Sequence, residues 1–192
     1  KVFGGTRDGA IEIWDLETDR CERRLTGHQG QIQSIAVSLD GSRAASTSTD
    51  AAMRVWDLQT FTCLHVLRGR GVFGEPTLSF DGRRAVCMGR SNETDSLAIW
   101  DLDSGKCLSD QNTLYYQITI PTSGERAYGF GPPFVSAWDL TTGQKAGGFA
   151  IPEGNVPSLA IVQDGTKAIS ISWAPGRSAD PQYVLRVWEL KT

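Results

Sequence analysis

MRVWDL, residues 53–58, recurs with small changes as IEIWDL (11–16), LAIWDL (97–102), VSAWDL (135–140) and LRVWEL (185–190). The tryptophans of these copies, Trp14, Trp56, Trp100, Trp138 and Trp188, fall 42, 44, 38 and 50 residues apart. That is the period of a repeat made of four short strands. Met53, Val55 and Leu58 are packed too densely for a strand with one wet face, so both faces of each sheet must be covered. A single unit of this kind cannot bury its two faces alone, whereas a stack of them can.

Turn signals on either side set the register. Asp40-Gly41, Asp81-Gly82, Ser123-Gly124 and Asp164-Gly165 each separate two apolar alternating runs, which predicts a hairpin at each. One strand precedes each turn and two more follow. In the second repeat the strands are IQSIAVS (32–38), RAASTS (43–48), MRVWDL and CLHVL (63–67), lettered a to d from the inside outward. Lys1 aligns with Arg43, so the first unit lacks its innermost strand, and the last ends after LRVWELKT without an outer one. The expected division is a partial unit over 1–26, full units over 27–69, 70–112 and 113–150, and a partial unit over 151–192. No amphipathic helical stretch interrupts this series.

The segment GHQGQIQSIAVSLDGSRAASTSTDAAMRVWDLQTFTCLHVLRG, 27–69, resembles one repeat of the WD-repeat family of β-propellers. Gly-His, Asp-Gly, Ser-Thr-Asp and Trp-Asp at repeated spacing carry the resemblance, which extends over essentially the whole chain. It implies an all-β propeller of four-stranded antiparallel blades, here an open arc of about five blades with the first and last incomplete. The family usually closes seven blades. A start at Lys1 rather than methionine adds the expectation of an excised piece, its remaining blades supplied by the same chain or another subunit.

Composition removes several alternatives. Lys plus Arg number 19 against 22 Asp plus Glu, a net charge of -3, so no general positive field draws the chain to nucleic acid or anionic lipid. No apolar run reaches the length of a membrane span, and no signal-peptide pattern appears. Cys21, Cys63 and Cys107 each follow a repeat tryptophan by seven residues and so share one structural position. Equivalent positions on face-packed sheets lie about 10 Å apart, past the reach of a disulfide. With Cys87 also unpaired, free thiols in a reducing, intracellular and cytoplasmic setting are expected. The sequon Asn92-Glu93-Thr94 is then a chance match.

The resemblance implies a buried tetrad, His28, Ser48, Asp50 and Trp56, pinning loops within the second blade. A histidine between a hydroxyl and a carboxylate also activates nucleophiles. No nucleophile elbow or oxyanion loop accompanies it, and the structural reading is preferred. Repeat one keeps Thr6, Asp8 and Trp14; repeat three has Arg70 and Gly89 at the histidine and hydroxyl positions, and repeat four has Gly131 at the latter. Blades three and four are therefore expected to be looser. His65 beside Cys63 provides too few ligands for a metal, and is expected to be a solvated edge residue. DSGKC, 103–107, is a hairpin turn rather than a phosphate loop. Neither a cofactor nor catalysis is expected.

Function is expected where the repeat departs from regularity. The fifth repeat carries eight extra residues in its b–c loop, within WAPGRSADPQY, 173–183. Counting by register, the residue before the turn aspartate is Arg7, Thr49, Arg90, Pro132 or Trp173, and a second ring at the start of strand a holds Gln33, Gly74, Tyr116 and Pro157. Partner contact is expected at Arg7, Gln33, Thr49, Arg90, Tyr116, Trp173 and Arg177, with Trp173, Tyr116, Arg7 and Arg90 as anchors. These side chains suit a protein or peptide that is acidic or phosphorylated, or that offers aromatic groups. The expected function is a non-catalytic protein-interaction scaffold; the alternative is a regulatory, ligand-sensing propeller of a multidomain NACHT-type signalling ATPase.

Overall fold

The computed structural model describes residues 1–90, 95–112, 115, 117–131, 134–150, 155–162, 164–174 and 182–190, with backbone alone at 90, 155–159, 172–174 and 182–183. Its regular structure is all β, and the chain divides into two compact units, Lys1–Thr113 and Leu114–Thr192.

Three antiparallel sheets build the first unit. β1 (Val2–Gly5), β2 (Ile11–Asp15) and β3 (Arg20–Leu25) form a three-stranded sheet. β4 (Ile32–Val37), β5 (Arg43–Ser48), β6 (Met53–Asp57) and β7 (Thr62–Leu67) form a four-stranded sheet in sequence order. β8 (Val72–Leu78), β9 (Arg84–Arg90), β10 (Asp95–Asp101) and β11 (Lys106–Asn112) repeat that order. The alternation of strand side chains explains how one sheet serves two neighbours. Ala44 and Trp56 pack with Ile11, Ile13, Leu25 and Ile32 on one side of the second sheet. On its other side Ala45, Met53, Val55 and Leu67 join Phe73, Ala85, Ala98 and Trp100.

The second unit has the same plan. β12 (Gln117–Thr119), β13 (Arg126–Gly131), β14 (Phe134–Asp139) and β15 (Lys145–Ala150) make a four-stranded sheet. β16 (Asn155–Ile161), β17 (Lys167–Ala174) and β18 (Gln182–Glu189) make one of three. Tyr128, Phe130, Val135 and Ala137 pack with Ala168 and Leu190, and Phe149 lies 5.3 Å from Trp188 between ring centroids.

Hairpin glycines sit where the turns require a left-handed backbone: Gly41, Gly82, Gly124 and Gly165 have φ of 72°, 64°, 71° and 74°. Each Trp-Asp copy ends in another local lock. The carboxylates of Asp15, Asp57, Asp101 and Asp139 accept backbone N–H groups two and three residues on, as in Asp57 with Gln59 and Thr60 at 2.8 and 2.7 Å. This Asx turn starts the return to the outer strand. It gives the aspartate of Trp-Asp a local, structural task.

Two expectations need correction here. The fifth-repeat insertion is not all loop: Trp173 pairs in backbone register with Tyr183 and Ala174 with Gln182, so the extra residues lengthen the β17–β18 hairpin. ISISWA and QYVLRVW alternate through β-branched and aromatic residues, which favours strand over loop. His65 is also not a freely solvated edge residue. It is half-buried, its Nε2 lies 3.3 Å from the Asp103 carbonyl oxygen, and its ring packs on Gly105 of the next sheet's turn.

Candidate functional site: a buried latch beneath an exposed rim

Cross-strand register brings the latch together. Trp56 pairs with Ala44 across β5 and β6, and Ser46 lies two residues farther along β5 on the same face. The indole reaches this diagonal neighbour, with Nε1 donating to Ser46 Oγ at 2.9 Å. His28, from the loop before β4, places Nε2 2.8 Å from the same oxygen. Its Nδ1 stands 2.9 and 3.1 Å from Asp50 Oδ2 and Oδ1. Because Trp56 can only donate, the Ser46 hydroxyl donates to His28 Nε2, and His28 Nδ1–H donates to Asp50.

The hydroxyl of the latch is thus Ser46 and not Ser48. Ser48 Oγ instead donates to the Gly30 carbonyl at 2.9 Å and accepts the Asp50 N–H at 3.2 Å. Ser46 is one two-residue step, about 7 Å, along the strand from Ala44, whereas Ser48 is two such steps away and beyond the reach of the indole. The sequence does contain a signal for this: Ala168 pairs with Trp188, and Trp188 Nε1 donates to Ser170 Oγ at 2.9 Å, the same diagonal in the second unit. In the third sheet Cys87 occupies this place, because Trp100 pairs with Ala85. Trp100 Nε1 is buried there without a hydrogen-bond partner. An edge-on Phe73 ring, 6.2 Å away between centroids, packs against that indole.

Burial lowers the pKa of His28; the hydrogen bond and charge of Asp50 oppose this without overcoming it. The ring is therefore neutral at pH 7. Burial works in the other direction at Asp50, but the N–H groups of Gln29 and Ala52 and the His28 contact outweigh it and lower its pKa. Ser46 is 0% exposed and His28 4%, so no substrate carbonyl can approach the hydroxyl. The arrangement fixes the turn at Asp50 to the loop at His28.

Directly above the latch is a rim of turns. Gly9 has φ 85°, and a Cβ there would lie 2.5 Å from the His28 carbonyl oxygen and 2.8 Å from that of Gly30. Turn 6–9 of the first sheet therefore closes against loop 28–30 of the second, while Thr49 N–H donates to the Gln31 carbonyl at 3.0 Å. Arg7 and Thr49 are exposed on these turns. Gln33 is exposed at a bulge between Ile32 and Ser34, where the register of β4 and β5 shifts. Such bulges re-aim a side chain away from the regular ladder. Arg90 pairs in backbone with Val72 and Asp95, and Trp173 with Asn155 and Tyr183. Tyr116 and Arg177 lie outside the described residues. The sequence reading missed Arg68, which is exposed and donates from Nη1 to the Asp50 carbonyl at 3.3 Å.

The second unit contains a groove of about 370 Å³ beside β15 and β18, lined by Tyr128, Val135, Phe149, Trp188 and Leu190 with Gly147 and Gly148 on its outer wall. Arg126 and Glu189 also line it, so its walls are mixed, apolar with charged groups at the edge. Among the described residues, no group of three or more His, Cys, Asp or Glu side chains is placed to hold a metal ion, and no helix is long and apolar enough to cross a membrane.

Repeated antiparallel sheets of four strands, one carrying a buried histidine–hydroxyl–tryptophan latch, define an array of β-propeller blades. Comparison with known proteins adds the particular family. The family model described as WD domain, G-beta repeat matches residues 19–57. Apoptotic protease-activating factor 1 of Rattus norvegicus is 30% identical over 109 residues, 56% of this chain and 8% of that protein. Small ribosomal subunit protein RACK1y of Oryza sativa subsp. japonica is 30% identical over 109 residues, 57% of this chain and 31% of that protein. NACHT domain- and WD repeat-containing protein 1 of Mus musculus is 29% identical over 140 residues, 72% of this chain and 7% of that protein. The match to the WD repeat model thus lies in residues 19–57, and the chain spans less than a third of the length of each of these relatives.

Proposed function

We propose that this chain is a non-catalytic scaffold that docks a protein partner on the face carrying the latch and the rim. The observation that carries the reading is the rigid display of Arg7, Gln33 and Thr49 above a buried latch. A surface already fixed loses little entropy on association. Arg90, Tyr116, Trp173 and Arg177 belong to the same proposal by their repeat register. The four free thiols favour an intracellular, cytoplasmic setting.

Site-directed photocrosslinking tests the docking face. A benzophenone side chain at Gln33 or Thr49 is expected to join one discrete partner, whereas the same group at Thr60, in the β6–β7 turn at the opposite end of the sheet, is not. Equal crosslinking from Thr60, or none from the rim, would overturn the assignment.

A second reading is favoured by the names of two relatives, one a NACHT domain- and WD repeat-containing protein and the other an apoptotic protease-activating factor. In it the blades regulate a nucleotide-binding module within a larger NACHT-type signalling ATPase. This rests on likeness to a small part of those proteins. A full-length transcript encoding no nucleotide-binding module would remove it.

A further inference from the structure

We infer that the rim of the first unit recognises an acidic protein segment, with Arg68 and Arg7 as its carboxylate-binding residues; this rests on the docking reading above. The inference comes from how charge is distributed over the rim. Each carboxylate of the latch and its neighbouring turns already has a cationic or N–H partner. Asp8 is paired with Arg24 at 2.5 Å, Asp50 with His28, and Asp110 with Arg70 at 3.1 Å. Arg7 and Arg68 are exposed and form no ion pair among the described residues. Glu75, exposed on β8, is the only acid in the sequences of the innermost strands β4 and β8.

Position adds to charge. The bond from Nη1 to the Asp50 carbonyl holds Arg68 beside the turn that carries Thr49, and the rest of its guanidinium remains available for bonding. A planar fork held by one N–H is preorganised for a carboxylate, which it meets with two parallel bonds. Gln29, Gln31 and Thr49, all exposed, lie along the rim between Arg7 and Arg68 and add amide and hydroxyl donors. Unpaired guanidiniums at both ends of a polar rim fit an extended chain with acidic side chains. The latch enters this chemistry indirectly: it sets the Asp50 carbonyl, and the carbonyl sets Arg68.

Selection of a random peptide library on the purified chain tests this. Peptides rich in Asp and Glu are expected to be enriched, and their affinity to fall about fivefold in the Arg7→Gln, Arg68→Gln double variant. Removing equal charge elsewhere, by Arg20→Gln with Arg83→Gln, is expected to change affinity little. The thermal midpoint of each variant is compared with the parent to set aside unfolding. Enrichment of uncharged peptides that a bulky Thr49→Trp substitution displaces would overturn the acidic inference and leave docking intact. If no enriched peptide responds to any rim substitution, docking on this face fails as well. Preference for phosphoserine over glutamate peptides at the same arginines would also overturn the commitment to an acidic segment.

Discussion

Trp56 Nε1 donates to Ser46 Oγ at 2.9 Å, and the same hydroxyl donates to His28 Nε2, so one buried hydroxyl holds two elements that are 10 and 18 residues away in sequence. Its removal orphans an indole N–H and an imidazole nitrogen in a site with no access to water. Each buried polar group left unpaired costs about 1–3 kcal/mol. Ser46→Ala is therefore expected to destabilise the first unit by about 2–4 kcal/mol in urea unfolding. Ser48→Ala, which loses bonds at the edge of the turn, should cost about 1 kcal/mol. The reverse order would show that Ser48 is the hydroxyl of the latch after all.

The third sheet offers the complementary change. Cys87 is fully buried at the place equivalent to Ser46, and Trp100 Nε1 has nothing to donate to. Cys87→Ser gives the indole an acceptor, while the new hydroxyl can donate to the Gly74 carbonyl, now 3.4 Å from the sulfur. A gain of about 0.5–1.5 kcal/mol is expected. A lower urea midpoint in the variant would show that the Phe73–Trp100 packing outweighs the unpaired indole.

Most of the strand order was legible in the sequence because three kinds of signal agreed: the Trp-Asp period, the turn glycines and the apolar alternation. The hydroxyl of the latch was not, since RAASTS puts Ser46 and Ser48 on one face and only the Ala44–Trp56 pairing decides between them. Arg68 was missed for a related reason: its place depends on a bond to a main-chain oxygen, and no side-chain pattern records that. At Trp173, expectation of a loop followed the count of extra residues, whereas the β-branched and aromatic alternation favoured a longer hairpin.

His28 makes the first unit sensitive to mild acid. Its pKa is lowered in the fold, so the unfolded chain, with an ordinary value of about 6.5, binds the proton first as pH falls. Stability contributed by neutral His28 is complete above that value and is lost progressively between it and the lower folded value. The urea midpoint is expected to fall between pH 7.5 and pH 5.5, and to fall less in His28→Gln, which starts from a lower stability. Parallel pH profiles for the two proteins would rule out His28 as the titrating group.

Thiol reactivity should rank Cys21, Cys107 and Cys87 by burial and charge. Cys87 is enclosed, and burial pushes its thiol up to about 12, so thiolate is scarce and access is blocked together. Cys107 is exposed at the surface, yet partial burial of its sulfur and then the charge of Asp110 raise its pKa. Cys21 is exposed, and Cys63 is half-buried with the Arg54 guanidinium 3.5 Å from its sulfur. With a chromogenic disulfide at neutral pH, Cys21 is expected to react fastest, Cys107 more slowly, and Cys87 only after urea unfolds its sheet. Because the probe reads local opening as well as exposure, the rate at Cys87 also tests the looser third blade that the missing polar latch implies. Cys87 labelling at sub-denaturing urea, before Trp56 fluorescence changes, would show that this sheet opens ahead of its neighbour; simultaneous change would show that the two unfold as one.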